Sequence, residues 1–360
     1  MFVAWRDLRF ARGRFVLIGS VVALITLLVG FLAGLTGGLA SQNISGVLGL
    51  PGDRLVLQKP ATGKPSFSES VIDSATRTSW RAAPGVDDVT PVGIVQGRAS
   101  IHGAASAVGV AVFGLPAGAP ASIVADLTPT DDDSVGLSAG AAADLGAQVG
   151  DRISIAGSDY RVGRIGGDAW YSHTPVIALS PDAWAGVDRR LGGDGDPTVL
   201  AVAGAPDWDA VAASTDTTAM PVLTSVTALE TFTSEIGSLG LMIAMLFGVS
   251  ALVVGAFFTV WTMQRAGDIA VLKALGASTG SLVRDALGQA LVVLLAGIGV
   301  GITIVAVLGS LAGGVLPFLL SPLTTLLPAA IMAALGLAGA AIALRTVTHA
   351  DPLTALGSNR

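Results

Sequence analysis

Glutamate is scarce in this 360-residue chain: Glu69, Glu230 and Glu235 are the only three. Two of them stand five residues apart, where a long apolar segment begins. An ionisable side chain at the edge of such a segment is costly unless it meets water, a partner or a ligand, so the pair is a functional hypothesis by default. At 100° per residue, Glu235, Ser238 and Met242 fall on one helical face, while Glu230 points about 140° away from Glu235. A carboxylate there can act as a ligand or a gate, or can simply solvate the helix end. A second pattern is Gly30, Gly34 and Gly38 at spacing four, with Gly37 adjacent. Glycines on one face let a neighbouring helix, a second copy of the chain or a flat ligand approach the backbone.

Other chemistry is thin. No GxxxxGK[ST] occurs, so the chain has no loop to cradle phosphates and is not expected to hydrolyse ATP. No HExxH or GxSxG occurs either, and no catalytic residue and no metal site are expected. His102, His173 and His349 lie far apart and read as surface or loop residues. Asp131, Asp132 and Asp133 read as a solvated loop. Tyr160 and Tyr171 are alternative ligand side chains with a structural role as the plainer reading. Cysteine is absent, which removes thiolate ligation and leaves any exported domain to fold on its own core.

The elements that must position these residues follow from composition. The chain is 52% hydrophobic and 13% charged, with a mean hydropathy of +0.71, against about 25% charged in soluble domains. Four stretches are long enough to span a bilayer: Phe15–Ala40, Ile236–Met263, Ala286–Ala312 and Leu323–Leu344. The fold class predicted is a membrane protein of four transmembrane α-helices, one plus three, with an α+β extracytoplasmic domain inserted between the first two. Nine basic and four acidic residues lie outside the segment from Ala40 to Glu235, and eleven basic and twenty-two acidic inside it. Basic residues favour the cytoplasmic side. Both termini and the 264–285 loop are therefore expected inside, and the acidic 41–225 domain outside. The apolar run at 15–40 is too long for a signal-peptide core. Residues 1–14 alternate arginines with Phe2, Val3, Trp5, Leu8 and Phe10, the pattern of an amphipathic surface helix.

Within 41–225 the sequence predicts a polar connection, a strand at 53–58 and a helix over 66–83. Strands at 92–101 and 107–115 follow, then a strand, a short helix and a hairpin over 134–165. Strands at 175–179 and 198–204 and a helix near 206–214 complete it. The second membrane helix is expected to begin near Val226 and run to 263. Residues 345–360 form a tail.

The loop MQRAGDIAVLKALGAST (263–279) carries Ile269, Leu272 and Leu275 on one helical face, with Gly276 as a stop. An exposed apolar stripe on a short loop suits docking to a cytoplasmic partner. Its pattern, carried by Arg265, Asp268, Ile269, Leu272, Lys273, Ala274, Leu275, Gly276, Ala277 and Ser278, resembles the coupling segment of MacB/FtsX-type permeases, the type VII ABC transporters. Residues 137–165 and the tail ADPLTAL (350–356) resemble further segments of that family, so the likeness covers the chain.

The resemblance implies a homodimeric permease in a bacterial plasma membrane, surrounded by lipid. It would be paired with two copies of a cytoplasmic ABC ATPase that carries ATP and Mg and docks on Arg265, Asp268, Ile269, Leu272, Lys273, Leu275 and Gly276. The compact outer domain resembles the family's haem-exporting branch. That implies a transport subunit, not an enzyme, with haem as substrate rather than intrinsic cofactor. Its contacts would be Glu230, Glu235, Met242 and the Gly30, Gly34 and Gly38 face. Two other family roles stay open: mechanotransmission to an extracytoplasmic hydrolase, and export of lipoproteins or antimicrobial peptides. Nothing in the composition points to nucleic acid.

Overall fold

The computed structural model describes residues 12–119, 122–264, 267, 271, 276, 278–312 and 316–348. Residues 1–11 of the surface helix expected over 1–14, and residues 349–360 of the tail expected over 345–360, lie outside them. The elements in chain order are helix α1 (Arg12–Leu48), β1 (Arg54–Gln58), α2 (Ser74–Ala82), β2 (Val86–Ile101) and β3 (Val108–Gly114). Then come α3 (Ile123–Leu127), β4 (Ser134–Leu137), α4 (Ala139–Leu145), β5 (Arg152–Ile155) and β6 (Ser158–Ile165). The hairpin β7 (Trp170–Tyr171) and β8 (Thr174–Leu179) is followed by α5 (Pro181–Arg190), β9 (Val199–Gly204), α6 (Trp208–Ser214) and β10 (Thr217–Pro221). Short turns at α7 (Val222–Ser225) and Val226–Ala228 lead into α8 (Glu230–Gln264), α9 (Thr279–Ala312) and α10 (Pro322–Thr348). The chain divides into two compact units: Met1–Gly38 with Ser238–Arg360, and Leu39–Gly237.

In the unit Leu39–Gly237, strands β10, β1, β9 and the first half of β2 pair in that order, all antiparallel. With α2 between β1 and β2, and α6 between β9 and β10, this is the split β-α-β arrangement of two interleaved halves. Trp80, Val56, Leu200 and Val202 form the core under these helices. The second half of β2 continues into a six-stranded ring, β2–β3–β8–β4–β6–β5 and back to β2. Closing the ring leaves no open edge among these strands. Its interior is packed with branched residues, including Val110, Val112, Leu137, Ile153, Val162 and Ile177. The indole of Trp184 needs Gly93 and Gly114 beneath it, since a methyl at either would run into the ring. Its Nε1–H donates to the Val112 carbonyl at 3.1 Å.

Helices here start where the sequence supplies an acceptor for the orphan N–H groups. Asp73 accepts from the Thr76 amide at 2.7 Å. Ser138 accepts from Ala141, Ser180 from Ala183 and Asp207 from Ala210. The helix predicted over 66–83 is correspondingly shorter: Asp73 caps it, and Ser70 instead turns its hydroxyl to the backbone of Gln58 and Thr198. The strands β7 and β10 and the helices α3 and α5 were not predicted.

Among the described residues, four helices are long and apolar enough to cross a membrane: Phe15–Leu48, Glu230–Gln264, Gly280–Ala312 and Pro322–Ile342. The first runs eight residues past the predicted Ala40. The extra turns are not a polar connection: Asn43 and Val47 are fully buried, and Val47 joins a core with Leu50, Leu57, Phe113 and Leu229. In the unit Met1–Gly38 with Ser238–Arg360, Val22, Val254, Phe258, Leu294, Ile298 and Met332 belong to one apolar core.

Candidate functional site

Glu235 is the best-connected of the predicted site residues. It lies on the second turn of α8, and its side chain is 22% exposed. Its Oε2 accepts a hydrogen bond from His173 Nε2 at 2.9 Å and from Asn43 Nδ2 at 3.2 Å. Asn43 uses the other end of its amide as well, Oδ1 accepting from Thr231 Oγ1 at 3.0 Å. The Thr231 hydroxyl in turn lies 3.2 Å from that of Ser172. Five side chains thus join the last turns of α1, the first turns of α8 and the turn between β7 and β8. A buried amide that leaves either end unpaired costs about 1–3 kcal/mol, and Asn43 leaves neither.

The backbone explains how the turn reaches this place. Ser172 and His173 form a two-residue hairpin turn with φ of +46° and +63°, the pair of left-handed residues typical of a type I′ turn and usually Asn-Gly. The Ser172 N–H donates to the Asn43 carbonyl and the His173 N–H to the Gln42 carbonyl, both at 3.0 Å. Trp170 N–H donates to Ser45 Oγ at 2.9 Å. Gly46 permits the approach, because a Cβ there would lie 2.9 Å from the Trp170 carbonyl oxygen. The hairpin therefore lies along α1 from residue 42 to residue 46.

Glu230 takes a different place. It is exposed in the first turn of α8, where a carboxylate favours the N-terminal end of the helix dipole. Met242 is 49% exposed farther along the same helix. Tyr171 is buried, its ring edge-on to Phe67 and Phe113, and burial pushes its hydroxyl well above the ordinary tyrosine range. It belongs to the core. Tyr160 is likewise buried, within the ring. His102 pairs with Asp159 at 2.7 Å on the surface.

Of the occupants expected for the Gly30, Gly34 and Gly38 face, a neighbouring segment of the same chain is the one found, and it fills the place a flat ligand would need. A Cβ on Gly30 would lie 2.9 Å from Val305 Cγ2, one on Gly34 would enter the Phe318 ring, and one on Gly38 would strike the Pro317 carbonyl. Leu319 N–H also donates to the Gly34 carbonyl at 3.0 Å. The close approach that glycine allows goes to the segment linking α9 to α10. Among the described residues no cluster of three or more His, Asp or Glu is arranged to hold a metal ion.

Of the predicted coupling residues, Arg265, Asp268, Ile269, Leu272, Lys273 and Leu275 lie outside the described residues. Gly276 has a φ of +91°, the left-handed backbone that terminates helices. Sequence reasoning missed His173 and Asn43. The one available signal was Ser-His between two β-prone runs, a turn without the usual glycine.

Residues 240–352 match the FtsX-like permease C-terminal family. A putative hemin transport system permease protein HrtB of Staphylococcus haemolyticus is 24% identical over 99% of both chains. An uncharacterized ABC transporter permease of Mycobacterium bovis is 26% identical, again over 99% of both. Among solved structures, the periplasmic region of MacB from Actinobacillus actinomycetemcomitans aligns at a TM-score of 0.35 and 11% identity, covering 49% of this chain and 92% of that one.

Proposed function

We propose that this chain, which carries an FtsX-like permease domain and shares full-length homology with hemin transport permeases, is the membrane subunit of an ATP-driven exporter of haem or a similar amphiphile. The observation that most supports the substrate is the end-to-end similarity to permeases named for hemin transport. ATP hydrolysis falls to a separate cytoplasmic ATPase, with the 265–276 segment as its docking surface and a second copy of the chain completing the permease. The basic flanks of the helices favour both termini inside and the domain of residues 39–237 outside.

Haem is flat and apolar, with two anionic propionates and an iron that accepts a protein ligand. In this reading Glu235 supplies the carboxylate, with Glu230 as the alternative and Met242 as an apolar thioether contact on the same helix. The glycine face of α1 has no part in it, because Val305, Pro317 and Phe318 occupy it. Haem is substrate here, so the site is required to release it as well as bind it.

Mechanotransmission remains as a second reading for a specific reason. Val47 of α1 and Phe232 of α8 both pack in the core of the inserted domain, which suits the transfer of a helix movement into that domain. The test is an absorbance spectrum of the protein purified from haem-supplied cells, with haem sensitivity of a strain lacking it. A haem band and a haem-sensitive strain are expected. A colourless protein and a cell-separation defect would favour mechanotransmission.

A further inference from the structure

The Glu235 carboxylate is engaged. Its Oε2 accepts from two donors, His173 Nε2 and Asn43 Nδ2, and its side chain is 22% exposed. A ligand that binds through this oxygen competes for the same lone pairs. A flat macrocycle also needs an approach, and the Ser172–His173 turn stands against the carboxylate.

The turn is held to the helix ends by a few specific contacts. Ser172 and His173 both hold left-handed φ values, which L-residues with a Cβ adopt at a cost and keep only where their surroundings over-determine them. Those surroundings are the β7–β8 hairpin, whose two-residue turn requires such values, and the two helix ends. Both N–H groups of the tip donate to carbonyls of α1, the Ser172 hydroxyl meets Thr231, and the His173 ring meets Glu235. Lifting the turn breaks these contacts, while the two-residue hairpin keeps its own backbone. Asn43, with no exposed surface, ties the parts together: its Nδ2 donates to Glu235 while its Oδ1 accepts from Thr231.

We propose that Asn43 and His173 are positioning residues that hold the Glu235 carboxylate in a closed state, and that the Ser172–His173 turn is a latch that lifts off the helix ends before Glu235 takes its ligand. The latch rests on the reading of Glu235 as the substrate carboxylate. It adds a specific element whose equilibrium sets the apparent affinity, since binding is weakened by the fraction of molecules held closed.

The absence of cysteine permits a clean test. The Ser172 and Thr231 hydroxyl oxygens are 3.2 Å apart, so Ser172→Cys with Thr231→Cys places two thiols within reach of a disulfide across the latch. Haem is titrated into the oxidised and the reduced form of the full-length double variant and into the wild type, followed by the haem absorbance band. The reduced form is expected to bind at least as tightly as the wild type. The oxidised form is expected to bind about tenfold or more weakly than the reduced form.

Equal affinity of the two forms, with wild-type binding intact, overturns the latch and leaves the haem reading standing. No binding by any form, the wild type included, instead removes the haem reading on which the latch depends. His173→Gly covers the case in which the disulfide does not form. It deletes the donor and suits the positive φ, so the fold is retained. Its haem affinity is expected to rise about threefold or more. Unchanged affinity contradicts the latch, and weaker binding contradicts it while marking His173 as a ligand.

Discussion

Helix α1 carries Gly30, Gly34 and Gly38 four residues apart, and helix α8 carries Gly240, Ala244 and Gly248 at the same spacing. On α1 each glycine is matched by a side chain or carbonyl of the same chain: Val305, Phe318 and Pro317. The rings of Phe31 and Phe318 sit 5.0 Å apart beside them. On α8 a Cβ added at Gly240 or Gly248 would have no described atom within 4 Å. Leu241, Met245, Val249 and Leu252 around them are exposed. Small residues at spacing four state that something can come close; they do not state what. The difference places the intramolecular seam on α1 and, among the described residues, leaves Gly240 and Gly248 of α8 uncovered.

The sharpest way to break this comparison is to fill both faces in turn. Gly38→Val puts a branched side chain against the Pro317 carbonyl, and is expected to destabilise the chain by about 3 kcal/mol. Gly248→Val meets open space, and is expected to change stability by no more than about 0.5 kcal/mol. Thermal unfolding in one detergent compares the two directly; equal losses would mean that the α1 seam is not the tighter one. A smaller effect is expected at the polar cluster. Asn43→Leu leaves Thr231 and one side of Glu235 without their buried partner and should cost about 2 kcal/mol, read by the same melts. A loss near zero would show that the cluster is solvated.

The smallest effect contrasts this buried contact with an exposed one. Asp73 caps α2, and the hydrogen bonds from Thr76 hold its carboxyl below the ordinary value of 3.8. A carboxyl lowered on folding stabilises above its unfolded value, and the benefit disappears as pH falls through the folded one. Asp73→Ala should therefore lower the melting temperature slightly at neutral pH. The difference from wild type should vanish on acidification below 3.8. A difference that persists at low pH would assign the effect to helix packing rather than to the charge.

Much of the architecture was legible because membrane spans and strands write long patterns. The four apolar runs, the strand, short helix and hairpin over 134–165 and the strands at 175–179 and 198–204 follow from length and alternation alone. The ring of strands was not legible, since the pairing of β2 with β5 joins residues 99–101 to 153–155 and no local pattern records a long-range pairing. Helix α1 ran on through Asn43 and Ser45 because the inserted domain supplies the partners that polar residues in a helix otherwise seek in water. Glu235 stood out by composition. Its partners did not: Asn43 and His173 lie 192 and 62 residues away from it, in segments that read as a connection and a loop. The glycines of α1 drew attention by their spacing, while Gly240, Ala244 and Gly248 went unremarked with the same spacing. Both sets can be told apart only once Phe318 and Pro317 are seen against the first.

The central claim is that Glu235, rather than Glu230, carries the substrate. Its most direct test is haem titration of the purified full-length chain beside Glu235→Gln and Glu230→Gln, with folding of each confirmed by melting. Glutamine keeps the size of the side chain and one accepting oxygen while removing the carboxylate. Glu235→Gln is expected to weaken binding about tenfold or more, equivalent to about 1.4 kcal/mol, and Glu230→Gln to leave it within about twofold. Wild-type affinity in Glu235→Gln, with a loss in Glu230→Gln or in neither, would contradict it.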